Sequence, residues 1–513
     1  MNSWTPPFTR PEPSAEPAGY AWIVRKYELG VLPNWRWTFI ADRHVHKEIE
    51  RDGTVHVLLP RPRAPDPTDI SHLLFALKND GVSLAIWRAL LGVADLDVLG
   101  EEIRAAVHDT PTGAYARRAW FLFEALSGKR LQLPDVPTGN YVPLLNPSTQ
   151  VTGPVRKHRR QRIDVNLLGT LRFAPVLRWT DGLRAVSGDR LRGRIEQVVA
   201  GYDDDTVRRA LSFLYTRETM ASYEIEQERP PRNRAERFVA LLRQAPGMAT
   251  LDAGALTDLQ NAIVDPRFAD PSWRDEQNYV GEAVDLVRQR IHFVCPKPED
   301  VPALMEDWRS MVDQVTVGPT DPVLATACVS FAFVLLHPFT DGNGRLHRWL
   351  VHWGLSRSGV TPEEMVIPVS AIMLSMRRDY DEALDTFSKP LVDRMDYELD
   401  SEGRMSVRGD TADLYRHPDL TAMAEGLWRW LNLAVDRELP DQLRFLSGMD
   451  RARRELREVV DMPDRLLLRF IQIVHSNGGQ LSKRKRARHF DMLTDREIAQ
   501  MESIVAETFE IRR

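Results

Sequence analysis

Cysteine is nearly missing from this chain: Cys295 and Cys328 are the only two in 513 residues. They lie far apart and match no metal-binding spacing. A disulfide framework is thereby excluded, and a reducing, cytoplasmic setting is expected. A long apolar run is missing as well. The longest, Val323 to Leu336, is interrupted by Thr326 and Ser330 and is too short to span a membrane, so no membrane partner is expected. Nor is there a marked excess of one charge: 68 Lys and Arg against 73 Asp and Glu leave −5. That balance gives the molecule as a whole no pull toward nucleic acid. The opening MNSWTPPFTRPEPSAEPAGY lacks the basic-then-apolar pattern of a secretory signal. Its prolines predict a disordered leader over residues 1–20. No internal repeat stands out.

What is present is a soluble globular composition, 43% apolar and 27% charged, in a chain too long for one hydrophobic core. An N-terminal region is expected over 21–150. In it, two β-prone runs between His46 and Leu59 flank Asp52-Gly53, a hairpin signal. Thr68 or Asp69 caps a helix carrying Ile70, Leu73, Leu74 and Leu77. Leu131 to Thr152 is rich in Pro, Gly and Asn and reads as irregular. The basic run Arg156 to Arg162 reads as a solvated loop, since no aromatic platform flanks it. From Asp164 to Phe387 the pattern is mostly helical, with an amphipathic helix over Asp203–Met220. The last region, 401–513, is expected to be helical. Pro463–Ser476 forms a helix that Asn477-Gly478-Gly479 ends. A basic run SKRKRARHF follows, and Thr494 with Glu497 makes a capping box. Helix, turn, basic segment and helix is one way to bind DNA; a solvated face is the first reading.

The residues that carry chemistry run from His337 to Arg348: HPFTDGNGRLHR. Val323–Leu336 before them is apolar on all faces, as in a helix at a domain centre. Leu346, Leu350, Val351 and Leu355 after them recur at helical spacing. The segment is therefore a short polar loop between two helices, not a hairpin. Gly342 and Gly344 allow close backbone approach to a ligand. The start of the second helix offers free N–H groups to phosphate. Arg345 and Arg348 share a helix face and suit phosphate oxygens. Asp341 suits Mg²⁺, which takes few carboxylates plus phosphate oxygens. The Asn343 amide can donate to phosphate. His337, with an ordinary pKa of about 6.5, can act as a base near neutral pH.

This segment resembles the signature of the Fic family, His-x-Phe-x-(Asp/Glu)-Gly-Asn-(Gly/Lys)-Arg-x-x-Arg, at every defined position. The resemblance extends over roughly Ser212 to Phe387. It implies a helical core and transfer of AMP from ATP to a Ser, Thr or Tyr hydroxyl of a target protein. It assigns His337 as base, Asp341 as Mg²⁺ ligand and Asn343 as a contact to the α-phosphate. The backbone from Gly342 to Gly344 becomes an anion cradle, with Arg345 and Arg348 on the outer phosphates and Phe339 as packing. Gly344, in place of Lys, favours nucleotidyl over phosphate transfer. Ser222-Tyr223-Glu224-Ile225-Glu226-Gln227 is similar to the family's inhibitory motif (Ser/Thr)-x-x-x-Glu-(Gly/Asn). Ser222 and Glu226 fit it, Glu226 competing with a γ-phosphate for Arg348; Gln227 departs from it. Phe293 to Val301 is similar to the stretch after a target-positioning flap. That places the flap at Arg288, Gln289, Arg290 and Ile291, pairing with a target strand. Tyr380 falls where relatives carry an aromatic near adenine; an ordinary helix-face tyrosine is the alternative.

The expected protein is mainly α, a Fic-type helical core with a small β-hairpin flap between flanking regions, the C-terminal one helical. The Fic domain is expected over 151–400, including the inhibitory helix near 203–227. The expected function is an autoinhibited protein adenylyltransferase using ATP and Mg²⁺, with self-modification as an option and nucleic acid not an expected partner. Its rivals are removal of AMP, transfer of another nucleotide or phosphodiester group, and a DNA-binding regulator acting through the C-terminal basic helices.

Overall fold

A computed structural model describes residues 4–42, 46–51, 53–283, 289–362 and 364–511. The protein is mainly α. The chain groups into two compact units. One comprises Met1–Gly188, Gln244–Ser358 and Met376–Trp428; the other comprises Asp189–Arg243, Gly359–Ser375 and Arg429–Arg513. The helices used below are, in chain order, α1 (Asp204–Ile225), α2 (Ala253–Ile263), α3 (Val301–Val315), α4 (Pro322–Leu336), α5 (Asn343–Arg357), α6 (Arg377–Val392), α7 (Leu439–Val459), α8 (Asp464–Ser476), α9 (Lys483–His489) and α10 (Asp495–Thr508).

The first unit begins with a four-stranded sheet of β1 (Glu16–Ala18), β2 (Arg36–Ala41), β3 (Lys47–Arg51) and β4 (Thr54–Pro60), in the order β1-β2-β4-β3. β3 and β4 pair antiparallel with Arg51 opposite Thr54, the hairpin expected there, and β2 runs parallel to β4. Thr68 caps helix Asp69–Asn79 through Ser71 N–H. The helices through Ser127 bury Trp87, Trp120, Phe121 and Phe123 in one core with Trp37 and Phe39 of β2. Two expectations change here. Part of the leader is packed: Glu16 to Ala18 pair with β2, Ala15 is buried, and the Phe8 ring lies 5.0 Å from Trp37. Apolar Phe8 and Ala15 have a core to join, and prolines lose little backbone entropy on ordering. The basic run is solvated as expected, residues 156–159 being exposed, but it is not simply a loop. Arg156–His158 is a strand, and the half-buried Arg160 bonds to Glu124, Asp135 and the carbonyls of Leu131 and Leu133.

The centre of this unit is α4, buried along nearly its whole length, as its unbroken apolar sequence requires. Its polar members close bonds on their own helix: Thr326 Oγ1 donates to Pro322 O at 2.8 Å and Ser330 Oγ to Thr326 O at 2.8 Å. Trp308 of α3 donates to Val329 O at 3.1 Å. α5 lies against α4 so closely that a Cβ on Gly354 would sit 2.4 Å from Thr326 Oγ1.

In the second unit, Asp203 caps α1 by accepting from Thr206 N–H. α1 packs on α7 and on helix Val369–Ser375. Buried Glu218 accepts from Ser370 N–H at 2.8 Å. α7, α8 and α10 form a bundle around Leu456, Leu467, Phe470, Ile471, Met501 and Val505. The Thr494–Glu497 capping box is complete at the start of α10. Among the described residues, no helix is long and apolar enough to cross a membrane.

Candidate active site

The loop from His337 to Gly342 joins α4 to α5. His337 ends α4 in the left-handed region, φ 48° and ψ 57°, while its N–H still bonds to Phe333 O. That reversal turns the chain out of the buried helix within one residue, at a cost of about 1–2 kcal/mol for a non-glycine residue. Gly342 is also left-handed, at φ 88°, and a Cβ there would meet Val264 Cγ1 at 2.9 Å. Its glycine is thus required by backbone and packing together.

Every carbonyl of the loop is taken by a protein donor. Arg274 Nε donates to His337 O at 2.9 Å and Arg274 N–H to Pro338 O at 2.9 Å. Asn343 Nδ2 donates to Phe339 O at 2.8 Å and Asn278 Nδ2 to Thr340 O at 3.1 Å. Gln260 Nε2 of α2 donates to Asp341 O at 3.2 Å, and Leu346 N–H of α5 to Gly342 O at 2.9 Å. Asp270 holds Thr340 twice, by its N–H at 2.8 Å and its hydroxyl at 3.0 Å. A loop whose carbonyls all point into protein offers an approaching anion little negative dipole. α5 begins at Gly342 with no side-chain cap, and the first N–H groups of a helix lack intrahelical partners. Donors and the positive dipole end therefore face the same place.

Four of these clamps carry no periodic signal in the sequence: Gln260, Asp270, Arg274 and Asn278. Arg274 is 4% exposed. It directs its guanidinium at the carbonyls of His337, Glu276 and Pro296. Desolvation pulls its pKa below the usual value, and the carbonyl oxygens compensate for the missing water.

His337 Nδ1 lies 3.2 Å from Val334 O. A carbonyl only accepts, so this contact is a hydrogen bond in the tautomer with the proton on Nδ1. In that neutral ring Nε2 is the basic nitrogen. The ring lies 6.4 Å from Phe293, centroid to centroid.

The motif side chains depart from expectation in two places. Asn343 is 2% exposed, and its amide closes a reciprocal pair on Phe339, accepting from Phe339 N–H at 3.0 Å and donating to Phe339 O at 2.8 Å. The amide expected on a phosphate here satisfies two backbone groups that require partners in a dry interior. Arg345, 1% exposed, donates through Nη2 to Asp341 Oδ1 at 2.6 Å; Gly342 N–H donates to the same oxygen at 2.6 Å. Arg348 is equally buried, one turn further on.

The Asp341 side chain is 39% exposed. Both of its bonds above use Oδ1, which leaves Oδ2 for a cation. Among the described residues no group of three or more His, Cys, Asp and Glu side chains forms a metal cage.

Tyr380 is 4% exposed on α6, and its ring lies 6.3 Å from the buried ring of His347. The flap is a two-stranded hairpin of β5 (Tyr279–Ala283) and β6 (Gln289–Val294), with an irregularity between Val280 and Gly281. Gln289 and Arg290 are exposed on β6 and Ile291 is half-buried; Arg288 lies outside the described residues. The hairpin's base is fixed by Cys295 N–H on Asn278 O at 3.2 Å and Gln277 Nε2 on Cys295 O at 2.9 Å. Burial pushes the Cys295 thiol up to about 12, so it is inert packing.

Ser222 and Glu226 belong to the second unit, at the C-terminal end of α1. Ser222 is buried and Glu226 exposed. Gln227, the departure from the Gly/Asn pattern, has φ 58°. Gln227 N–H bonds to Glu224 O and Glu228 N–H to Tyr223 O, which is the Schellman ending that glycine or asparagine usually provides.

Comparison with known proteins follows the same line. Residues 250–355 match the model of the Fic/DOC family, and the chain carries a Fic/DOC domain there. It is 35% identical over 96 residues to a protein adenylyltransferase fic-1 of Caenorhabditis briggsae, covering 19% of this chain and 17% of that one. It is 36% identical over 99 residues to the fic-1 protein of Caenorhabditis elegans, covering 19% and 16%. The matched stretch thus spans about a sixth of these relatives. Among solved structures, a Fic-domain signalling protein of Bacteroides thetaiotaomicron aligns with 50% of this chain and 96% of its own, at 18% identity and TM-score 0.35. A Fic family protein of Desulfovibrio desulfuricans aligns with 65% and 91%, at 17% identity and TM-score 0.35.

Proposed function

We propose that this chain, through its Fic/DOC domain, transfers AMP from ATP to a Ser, Thr or Tyr hydroxyl of a protein. The observation that supports this most is the loop itself: six consecutive carbonyls, 337 to 342, engaged by protein donors, ahead of an uncapped helix start. Such a loop suits a polyphosphate. His337 Nε2 takes the proton of the target hydroxyl, and that oxygen attacks the α-phosphorus. The bond from the α-phosphorus to the pyrophosphate oxygen breaks in line, and pyrophosphate leaves. Mg²⁺ held at Asp341 Oδ2 would neutralise phosphate charge. Asn343 acts by shaping the loop, and the flap's open strand edge offers pairing to the target segment. Positioning and fixed dipoles supply most of what such a transfer requires.

Glu226 is proposed as the autoinhibitory carboxylate. Its support is the Ser222–Glu226 spacing at a helix end and the left-handed turn that Gln227 keeps. The location proposed is the cytoplasm, consistent with two buried, unbridged cysteines.

Intact-mass spectrometry after incubation with ATP and Mg²⁺ tests the transfer: a gain of one AMP on the chain or an added protein is expected, and none with His337→Ala. Transfer that survives His337→Ala removes the assigned base. Glu226→Gly is expected to raise the modified fraction; no rise rejects the inhibitory assignment and leaves the transfer itself standing.

A further inference from the structure

The transfer reaction makes no use of the basic run at the C-terminal end of the second unit. α9 spans Lys483–His489 and buries none of its residues. It is tied to the bundle at its ends and through Arg486, which pairs with Asp495 of α10. Half-buried Leu481 leads into it and donates its N–H to Glu502 at 2.6 Å. Buried Phe490 follows it and meets Phe470 edge-on at 5.3 Å. The turn before it is sharp: Gly478 and Gly479 have φ 65° and 86°, and Asn477 Nδ2 bridges to Gln480 O at 2.8 Å. The order is thus helix, tight turn, short exposed basic helix and a further helix, on a core of their own.

Four of the five Lys and Arg charges on this helix are uncompensated. Lys483, Arg484, Lys485 and Arg488 are exposed, as are Arg465 and Arg469 on α8. Among the described residues none of the six has a carboxylate within 4.0 Å, whereas Arg486 pairs with Asp495. A seven-residue helix is about 10 Å long, so its four open cations lie within about one Debye length at physiological salt. Their repulsion opposes folding and buys no burial. The field is felt locally: desolvation and then the charges of Arg469 and Arg488 lower the His489 pKa.

We propose that α9, with the adjoining face of α8, binds the phosphate backbone of duplex DNA. The helix carries no exposed aromatic ring on which single-stranded bases would stack. It also lacks the apolar face that a membrane-surface helix requires. A rod of phosphates, one charge per about 1.7 Å of axis, relieves the repulsion along the whole helix.

The test uses the full chain and a fluorescein-labelled 20-base-pair duplex, with binding read by anisotropy against salt. If the four α9 cations each neutralise a phosphate, log Kobs falls against log[salt] with a slope of about −3.6. Raising salt threefold then weakens binding about 50-fold. The variant Lys483→Gln/Arg484→Gln/Lys485→Gln/Arg488→Gln should lose most of that slope, and each single substitution should reduce it by about 0.9. All four positions are exposed, and an unchanged melting curve confirms that each variant is folded. Wild-type binding by the quadruple variant overturns the proposal. So does a slope near zero, or binding confined to single-stranded RNA or to phosphatidylserine vesicles.

Discussion

Replacing Asn343 with alanine separates two roles that the same amide could play. Asn343 and Phe339 are both buried, and the amide serves Phe339 N–H at 3.0 Å and Phe339 O at 2.8 Å. After truncation the N–H has no substitute. The carbonyl keeps only a weak approach from Asn278 Nδ2 at 3.5 Å. A buried polar group left without its partner costs about 1–3 kcal/mol, so the loop loses about 2–4 kcal/mol against its open form. At 1.4 kcal/mol per tenfold, opening becomes roughly 30- to 700-fold more frequent. Amide hydrogen exchange by mass spectrometry, on the full chain without nucleotide, reads this directly. The Phe339 amide should accelerate by that factor. Thr340, held by Asp270, should follow because the loop opens as one piece, while amides within α4 stay protected. Asn343→Asp should behave no better, since it sets an oxygen against Phe339 O. Exchange within threefold of wild type, together with weakened ATP binding, would refute the argument and return Asn343 to the phosphate.

Asp341→Asn leaves buried Arg345 without its carboxylate; the half-exposed partner limits the loss to about 1–2 kcal/mol in urea unfolding, and no loss would contradict the pairing described. Gln227→Gly should stabilise the second unit by about 0.5–1 kcal/mol, because φ 58° suits glycine, and Gln227→Val should destabilise it; equal urea midpoints for the three proteins would remove the strain argument. Burial raises the Asp80 pKa from 3.8 to about 7, so the unfolded state ionises first. Stability is complete below pH 3.8 and falls as pH rises toward 7, by at most about 1.4 kcal/mol per pH unit. Asp80→Asn should flatten melting temperature against pH in that window, and an unaltered profile would exclude Asp80 as its source.

The sequence is most legible where one local rule governs a whole segment. Val323 to Leu336 had to be a buried helix, since no face offers water a polar surface. Thr494 with Glu497, and Thr68 before Asp69, announce helix starts because a cap acts within three residues. The segment from His337 to Arg348 stood out by residue type alone. What holds the loop was not legible. Gln260, Asp270, Arg274 and Asn278 are single polar residues about 60 to 80 positions upstream, and nothing in their neighbourhoods marks them as donors to a distant carbonyl. The backbone bonds of Asn343 were hidden for a related reason. A side-chain amide serves a phosphate or a backbone equally well, and only its burial decides. The proline-rich leader misled because composition speaks of average behaviour, while Phe8 and Ala15 found a particular cleft. Three separated segments assemble the second unit, a grouping that a linear scan does not reveal.

The contact between Gly354 and Thr326 sets terms for anyone who wishes to alter this protein. It lies three turns beyond the loop, where a designer hunting for new specificity would feel at liberty to vary residues. Yet any side chain at 354 drives a wedge between the two central helices and swings the far end of the lever, on which the imidazole and both arginines ride. Libraries that leave positions 326 and 354 untouched, and spend their diversity on the exposed hairpin, stand the better chance of keeping the loop between the two helices in place.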